Sequence, residues 1–288
     1  MILDSTMVSR QVASALAEDL GTGDLTAELI DPGARSRVEL ICRQSALLCG
    51  IPWFNEVFRQ LDPAIHIDWT VGEGERLGAE QRICTLQGNT RALLSGERTA
   101  LNYLQTLSGT ATRAAAYAER VAGTGVRVLD TRKTLPGLRL QQKYAVRCGG
   151  CANHRVGLYD AILIKENHIQ AAGSIAAALA AAKTLAPPGI EIEIEVESIE
   201  ELQQALEAGA GRVLLDNFEL PRLREAVRLN VGRARLEASG GVTLETIRAI
   251  AETGVDDISV GELTKDLQAV DLSMRFVQGP SRTGKDAD

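Results

Sequence analysis

Hydrophobic and polar positions divide the chain into two regimes. From Val126 onward, short apolar runs alternate with longer stretches of helical period. The runs begin near Val126 (VRVLD), Ala161 (AILIK), Ile190 (IEIEIEVE), Arg212 (RVLLD), Arg235 (RLEAS) and Asp257 (DISVG). Helices are predicted between the later ones, at Ser174–Leu185, Ile199–Ala208, Pro221–Leu229 and Leu244–Glu252. The last four runs start about 22 residues apart. Such alternation predicts parallel strands joined by right-handed crossovers. A (β/α) barrel and an open doubly wound sheet both satisfy it. No G-x-G-x-x-G follows the first run, which counts against a dinucleotide-binding fold.

The N-terminal part reads differently. Val8–Leu20 is an amphipathic helix stopped by Gly21 and Gly23. Arg37–Arg43 alternates like a strand, Trp53–Leu61 is helical, Ile65–Thr70 alternates again, and Arg82–Leu86 is another short strand. Residues 89–122 then read as helical, with Gly109 interrupting the run and Leu93, Leu94, Leu101, Leu104 and Leu107 forming a stripe. The pattern is α+β. By pattern alone, Arg98 lies on a solvated helix face and His66 is structural.

Polar residues collect at the ends of the later strands. Asp130 precedes Arg132 and Lys133; Lys165, Glu195, Glu197, Asp216, Ser239–Gly241 and Gly261 occupy matching positions. A barrel assembles its active site from those ends, whereas an open sheet uses one switch point. The strand Ile190–Glu197 sharpens the choice. Its isoleucines share one face and its glutamates the other. In a barrel the glutamates look inward and need cations, because a buried unpaired carboxylate is costly. Lys165, Arg132 and Lys133 are the candidates to supply that charge. The alternative is an edge strand with its glutamates in solvent.

Composition narrows the function. The chain has 288 residues, 45% hydrophobic and 24% charged, with a net charge of -7. That acidity argues against a general nucleic-acid or membrane-surface binder. Apolar runs are too short to span a bilayer, and no signal-peptide pattern opens the chain. Five cysteines form no disulfide framework, and the single Cys148-x-x-Cys151 is weak evidence for a metal. A cytoplasmic location is expected. Against the acidic background, Leu129–Ile169 gathers Arg132, Lys133, Arg139, Lys143, Arg147, His154, Arg155, Lys165 and His168. Such a segment suits small anions, with arginine fitted to bidentate carboxylate or phosphate contacts. Glu195 and Asp216 can hold a divalent ion or ribose hydroxyls. The loops Ser239–Gly241 and Ser259–Leu263 offer backbone N–H groups to a phosphate monoester. Together these parts suggest a phosphosugar meeting an anionic acceptor.

The motifs LDTRKTLPGLR, KYAV, GGCANHR, LIKENHI, EVES, LLDN, EASGG and SVGELT, with EDLGTGDLT and GERTALNYLQTLSG before them, resemble the quinolinate phosphoribosyltransferase family (nicotinate-nucleotide pyrophosphorylase, carboxylating). The resemblance runs from Glu18 to about Phe276. One departure is Cys151, where the family commonly carries a third glycine before x-N-H-R.

The resemblance implies a type II phosphoribosyltransferase architecture. An N-terminal α/β (α+β) sandwich, residues 1–110 completed by about 270–288, accompanies an incomplete (β/α) barrel of about six or seven parallel strands, residues 111–269. It implies a homodimer, or multiples of one, in which the neighbour's N-terminal domain closes each barrel mouth. Arg98 then reaches the partner's site rather than solvent. The resemblance implies that quinolinate is bound by Arg98, Arg132, His154, Arg155 and Lys165, with Thr131 also among the substrate-binding residues. By the same resemblance Lys133 holds the pyrophosphate or its carbon-1 region. Glu195 and Asp216 contact the ribose and Mg2+. Ser239, Gly240, Gly241, Val260 and Gly261 cradle the 5-phosphate. Lys133, Lys165, Glu195 and Asp216 are the implied catalytic set. The implied reaction joins quinolinate to 5-phosphoribosyl 1-pyrophosphate, giving nicotinate mononucleotide, pyrophosphate and CO2 without an organic cofactor, nucleic acid or membrane. Three rivals stay open: another pyridine-carboxylate phosphoribosyltransferase or a related protein linked to molybdate transport, a Schiff-base aldolase using Lys165, and a non-catalytic phosphosugar binder. The last dozen residues, ending GPSRTGKDAD, read as a flexible tail.

Overall fold

A computed structural model describes residues 4–282. The strands are β1 Ala34–Cys42, β2 Ala46–Leu47, β3 His66–Trp69, β4 Arg76–Leu77, β5 Gln81–Asn89, β6 Arg127–Leu129, β7 Ala161–Ile164, β8 Glu191–Val196, β9 Arg212–Asp216, β10 Arg235–Ser239, β11 Asp257–Ser259 and β12 Leu272–Arg282. The helices are α1 Ser5–Leu20, α2 Ile51–Leu61, α3 Thr90–Arg120, α4 Arg139–Cys148, α5 Glu166–Ala172, α6 Ile175–Leu185, α7 Ile199–Glu207, α8 Leu220–Asn230, α9 Ile247–Ala251 and α10 Glu262–Lys265.

Among the described residues two compact units result: one runs to residue 112 and resumes at residue 267, and the other is residues 113–266. The first holds an antiparallel sheet in the order β12-β1-β5-β3. Along β1, Ala34, Ser36, Val38, Leu40 and Cys42 are buried in alternation. Helix α2 buries Trp53, Phe54, Val57 and Phe58. Phe54 meets Trp69 edge-on at 5.1 Å, and Trp53 Nε1 donates to Gln11 Oε1 of α1 at 2.8 Å. Gly109 does not break α3. A Cβ there would run into the Gln268 carbonyl, so glycine admits a close chain crossing. The predicted tail is partly strand: residues 279–282 continue β12 beside β1, at the sheet edge, where a proline is tolerated. Residues 283–288 lie outside the described residues.

The second unit is a six-stranded parallel sheet in the order β6-β11-β10-β9-β8-β7. Sequence neighbours are spatial neighbours from β7 to β11, and β6 closes onto β11. This is a barrel open between β6 and β7. Its apolar core lies between strands and helices, with Ile194, Val196, Val213, Leu215, Leu236 and Ile258 facing Leu179, Leu202, Ala205, Leu223 and Ile247. Ser174 and Ser198 cap α6 and α7 by accepting the Ala177 and Glu201 N–H groups.

The segment between β6 and β7 is more than a loop. It contains α4, whose buried face carries Gln141, Gln142 and Lys143 beside Ala145 and Val146. After α4 the chain runs beside β6 like a strand: Ala152 N–H donates to Val128 O at 2.8 Å, and Asp130 N–H donates to Ala152 O at 3.1 Å.

Candidate active site

Strand alternation turns every second side chain of β8 to β11 into the barrel. Glu193, Arg212, Glu237 and Asp257 form one inward layer, and each of the four residues is at most 5% exposed. Arg212 Nε donates to Glu193 Oε1 at 2.8 Å. Its Nη2 bonds Glu237 Oε2 and lies 3.1 Å from Asp257 Oδ2. Asp257 also takes paired bonds from Arg235 and Arg127. Burial disfavours the Arg212 charge, but Glu193 and Glu237 outweigh it and raise its pKa. Burial would likewise raise Glu193, but His154 and Arg212 hold it below the ordinary range. Glu237 goes the other way. Burial, then the charge of Glu193, pushes it up to about 7.

A second buried set pins the segment that carries His154. Lys143 Nζ bonds Asp130 Oδ1 at 2.5 Å and the His154 carbonyl at 3.0 Å. Asp130 also accepts from Asn153 Nδ2 at 2.7 Å and from the His154 N–H at 2.9 Å. Burial pushes Asp130 up and Lys143 down, and the short contact between them opposes both shifts. The His154 ring is then fixed at both nitrogens. Nε2 lies 2.9 Å from Glu193 Oε2 and 3.6 Å from Glu237 Oε1, while Nδ1 accepts the Arg155 N–H at 2.7 Å. Burial penalises the imidazolium, but Glu193 and Glu237 outweigh it and raise the His154 pKa.

Above this floor is a cavity of about 720 Å³. Thr131, Arg132, Lys133, His154, Arg155, Lys165, Glu195 and Asp216 line it, with Ser239, Gly240, Gly241 and Gly261. Arg132 Nε is buried and has no partner among the described residues, so it retains a donor for an anion. Burial, then the charge of Arg132, lowers the Arg155 pKa; two guanidiniums sharing a wall await a negative ligand. Lys165 Nζ donates to Glu195 Oε2 at 2.6 Å. That bond occupies the amine a Schiff-base nucleophile would need, which counts against an aldolase. Burial, then the Glu195 charge, raises Asp216. Two neighbouring carboxylates at the ends of β8 and β9 are oxygen donors suited to Mg2+. Glycine is required at position 240: φ is +101°, and a Cβ would collide with the Asn217 amide. Gly241, at φ +58°, faces open space. Neither glycine donates its N–H to another described residue.

The chain matches two family models, the quinolinate phosphoribosyl transferase N-terminal domain over residues 24–108 and the C-terminal domain over residues 110–275. The chain belongs to the quinolinate phosphoribosyl transferase family. Among its relatives is a probable nicotinate-nucleotide pyrophosphorylase [carboxylating] of Synechocystis, 40% identical over 91% of this chain and 90% of that one. Another, of Bacillus subtilis, is 41% identical over 89% of each. The structure of the nicotinate-nucleotide pyrophosphorylase from Francisella tularensis superposes with a TM-score of 0.92 at 46% identity, covering 95% of this chain and 97% of that one.

Two residues implied by the family resemblance fall outside the cavity wall. Val260 is 1% exposed in the core, and its N–H is committed to Leu129 O at 2.9 Å, which leaves Gly261 to face the cavity. Arg98 is exposed on α3, in the first unit. The inward glutamates also need correcting. Glu193 is met by His154 and Arg212 rather than by Lys165, Arg132 or Lys133, and Glu197 lies beyond β8 and is exposed. Sequence reasoning missed Arg212, Glu237, Asn217 and Glu262. Strand parity, carried from β8 to RVLLD and RLEAS, is the signal for the first two. Glu262 faces the cavity held by Arg113 at 2.5 Å and by Tyr117.

Proposed function

We propose that this protein transfers phosphoribosyl from 5-phosphoribosyl 1-pyrophosphate to quinolinate, with decarboxylation, giving nicotinate mononucleotide, pyrophosphate and CO2. The observation that carries the reading is the paired guanidiniums of Arg132 and Arg155 beside Lys165 in one cavity, over a floor in which Arg212 already bonds Glu193 and Glu237. A dicarboxylate matches that surplus of cation better than a monocarboxylate.

Arg132, Arg155 and Lys165 hold the two carboxylates, with Thr131 beside them. His154 acts from the cavity floor, since Glu193 and the Arg155 N–H engage its nitrogens. Ser239, Gly240, Gly241 and Gly261 receive the 5-phosphate through backbone N–H groups. Lys133 faces pyrophosphate. Glu195 and Asp216 accept the ribose hydroxyls and would hold Mg2+, which neutralises leaving-group charge when bound with the pyrophosphate. Their carboxylates also face the ribosyl carbon as it gains positive charge. The pyridine nitrogen, once ribosylated, is itself the electron sink for decarboxylation, so the reaction asks no organic cofactor of these residues. Holding two substrates side by side in a fixed electrostatic frame supplies most of the acceleration.

Arg98 belongs to this reading through a homodimer, in which it reaches the partner's cavity. The proposed compartment is the cytoplasm, in keeping with five cysteines that form no disulfide. The test is incubation of pure protein with phosphoribosyl pyrophosphate, Mg2+ and either quinolinate or nicotinate. Nicotinate mononucleotide and CO2 from quinolinate support the reading; turnover with nicotinate alone contradicts it.

A further inference from the structure

In the inward layer of the barrel the acids Glu193, Glu237 and Asp257 meet the guanidiniums of Arg212, Arg235 and Arg127, but these cations are unevenly shared. Asp257 is shared by Arg235 and Arg127 from below. Arg212 must then serve both Glu193 and Glu237. Glu191 approaches Arg212 only at 3.5 Å and is exposed. The remaining titratable group against Glu237 is His154, from the segment after α4. Glu193 and Glu237 thus share one guanidinium, and a proton held by the Glu237–His154 pair relieves the repulsion between them.

The geometry marks the place for it. Glu237 Oε2 is taken by Arg212, but Glu237 Oε1 is buried with no hydrogen-bond partner among the described residues, 3.6 Å from His154 Nε2. His154 Nδ1 already accepts the Arg155 N–H, so an extra proton fits Glu237 Oε1 better than the ring. The same residues, His154, Glu193 and Glu237, could group around a metal ion, but Arg212 already occupies both acids.

We propose that the Glu237–His154 pair takes up one proton when the dicarboxylate substrate binds above it. The inference rests on the quinolinate reading. A dianion placed over Arg132 and Arg155 adds negative charge beside the pair and raises its affinity for a proton. Glu237 makes no contact with substrate in this account; it is a positioning residue that lets the floor match the charge of the ligand. Its carboxyl, already pushed up to about 7, is poised to gain that proton near neutral pH.

Calorimetry of the full-length protein with quinolinate, in buffers of differing ionisation enthalpy, counts the protons. Uptake is expected to approach one per site at pH 8 and to fall toward zero at pH 6. Glu237→Gln is expected to abolish the uptake at pH 8. Should that variant fold poorly, infrared difference spectra of the wild type at pH 8 are expected to show a protonated carboxylic acid appearing with quinolinate. Quinolinate binding without proton uptake at pH 8 overturns the proposal alone, as does an uptake in Glu237→Gln equal to wild type. Absence of any quinolinate binding overturns the dicarboxylate reading as well.

Discussion

Lys143 Nζ lies 2.5 Å from Asp130 Oδ1, and both side chains are wholly excluded from solvent. The pair sits behind the cavity wall and holds the backbone of His154 from both sides. Removing one partner strands the other charge. Asp130→Asn or Lys143→Met is expected to cost about 3–5 kcal/mol of stability. Urea denaturation checks this through a lowered midpoint at an unchanged slope. Activity should fall at temperatures where the variants remain folded, because His154 and Arg155 lose their anchor.

Arg212 presents the inverse case, one cation among three buried acids. Arg212→Met should destabilise by at least as much, about 3–5 kcal/mol by the same argument. Arg212→Lys should recover part of this, since an ammonium cannot reproduce the forked contact with Glu193 and Glu237. The ranking of the three midpoints decides the matter.

Stability should depend on pH through Glu237. Its folded pKa, about 7, is above that of an ordinary glutamate. The folded state therefore binds more protons there than the unfolded chain. The stabilisation is fully present below the unfolded value, and it is lost as pH rises through the folded value. Relative to Glu237→Gln, wild type should lose stability between about pH 4.5 and pH 7. Denaturation of both proteins across that range should show their difference growing with pH; a constant difference would contradict the assignment.

Gly240→Ala tests the phosphate loop. The new methyl meets Asn217 at a left-handed φ, so the backbone must shift where the N–H groups face the cavity. KM for phosphoribosyl pyrophosphate is expected to rise at least about tenfold, the factor equivalent to 1.4 kcal/mol. The affinity for quinolinate should move far less. Equal loss for both substrates would detach the loop from the phosphate.

The sequence carried the strand–helix alternation of the barrel, and the placement of Lys165, Glu195 and Asp216 at strand ends. The alternation of β8 even foretold buried glutamates, although the cation meeting Glu193 is Arg212. Arg212 opens its strand and looks like an ordinary polar boundary; only the register with β8 and β10 turns it inward. Helix α4 escaped notice because its buried face is polar, with Gln141, Gln142 and Lys143 where a hydrophobic stripe is the usual signal. Residues 279–282 looked like a tail because glycine and proline break the strand pattern, yet an edge strand accepts them. The tie from Lys143 to Asp130 spans a helix and a strand, and no local pattern encodes it.

Arg98 gives a prediction about assembly. Arg98→Ala and Lys165→Ala should each be inactive alone. Mixed dimers should regain part of the activity, since one of the two sites then combines an intact Arg98 with an intact Lys165. Co-expression with differently tagged chains and assay of the doubly tagged fraction checks it. No recovery would place Arg98 outside the shared site.

The most direct measurement uses quinolinate labelled in the carboxylate at carbon 2. Labelled CO2 should appear only when phosphoribosyl pyrophosphate is present, in equal amount to pyrophosphate and nicotinate mononucleotide. Release without phosphoribosyl pyrophosphate, or pyrophosphate formation with the label retained in the nucleotide, would contradict the account.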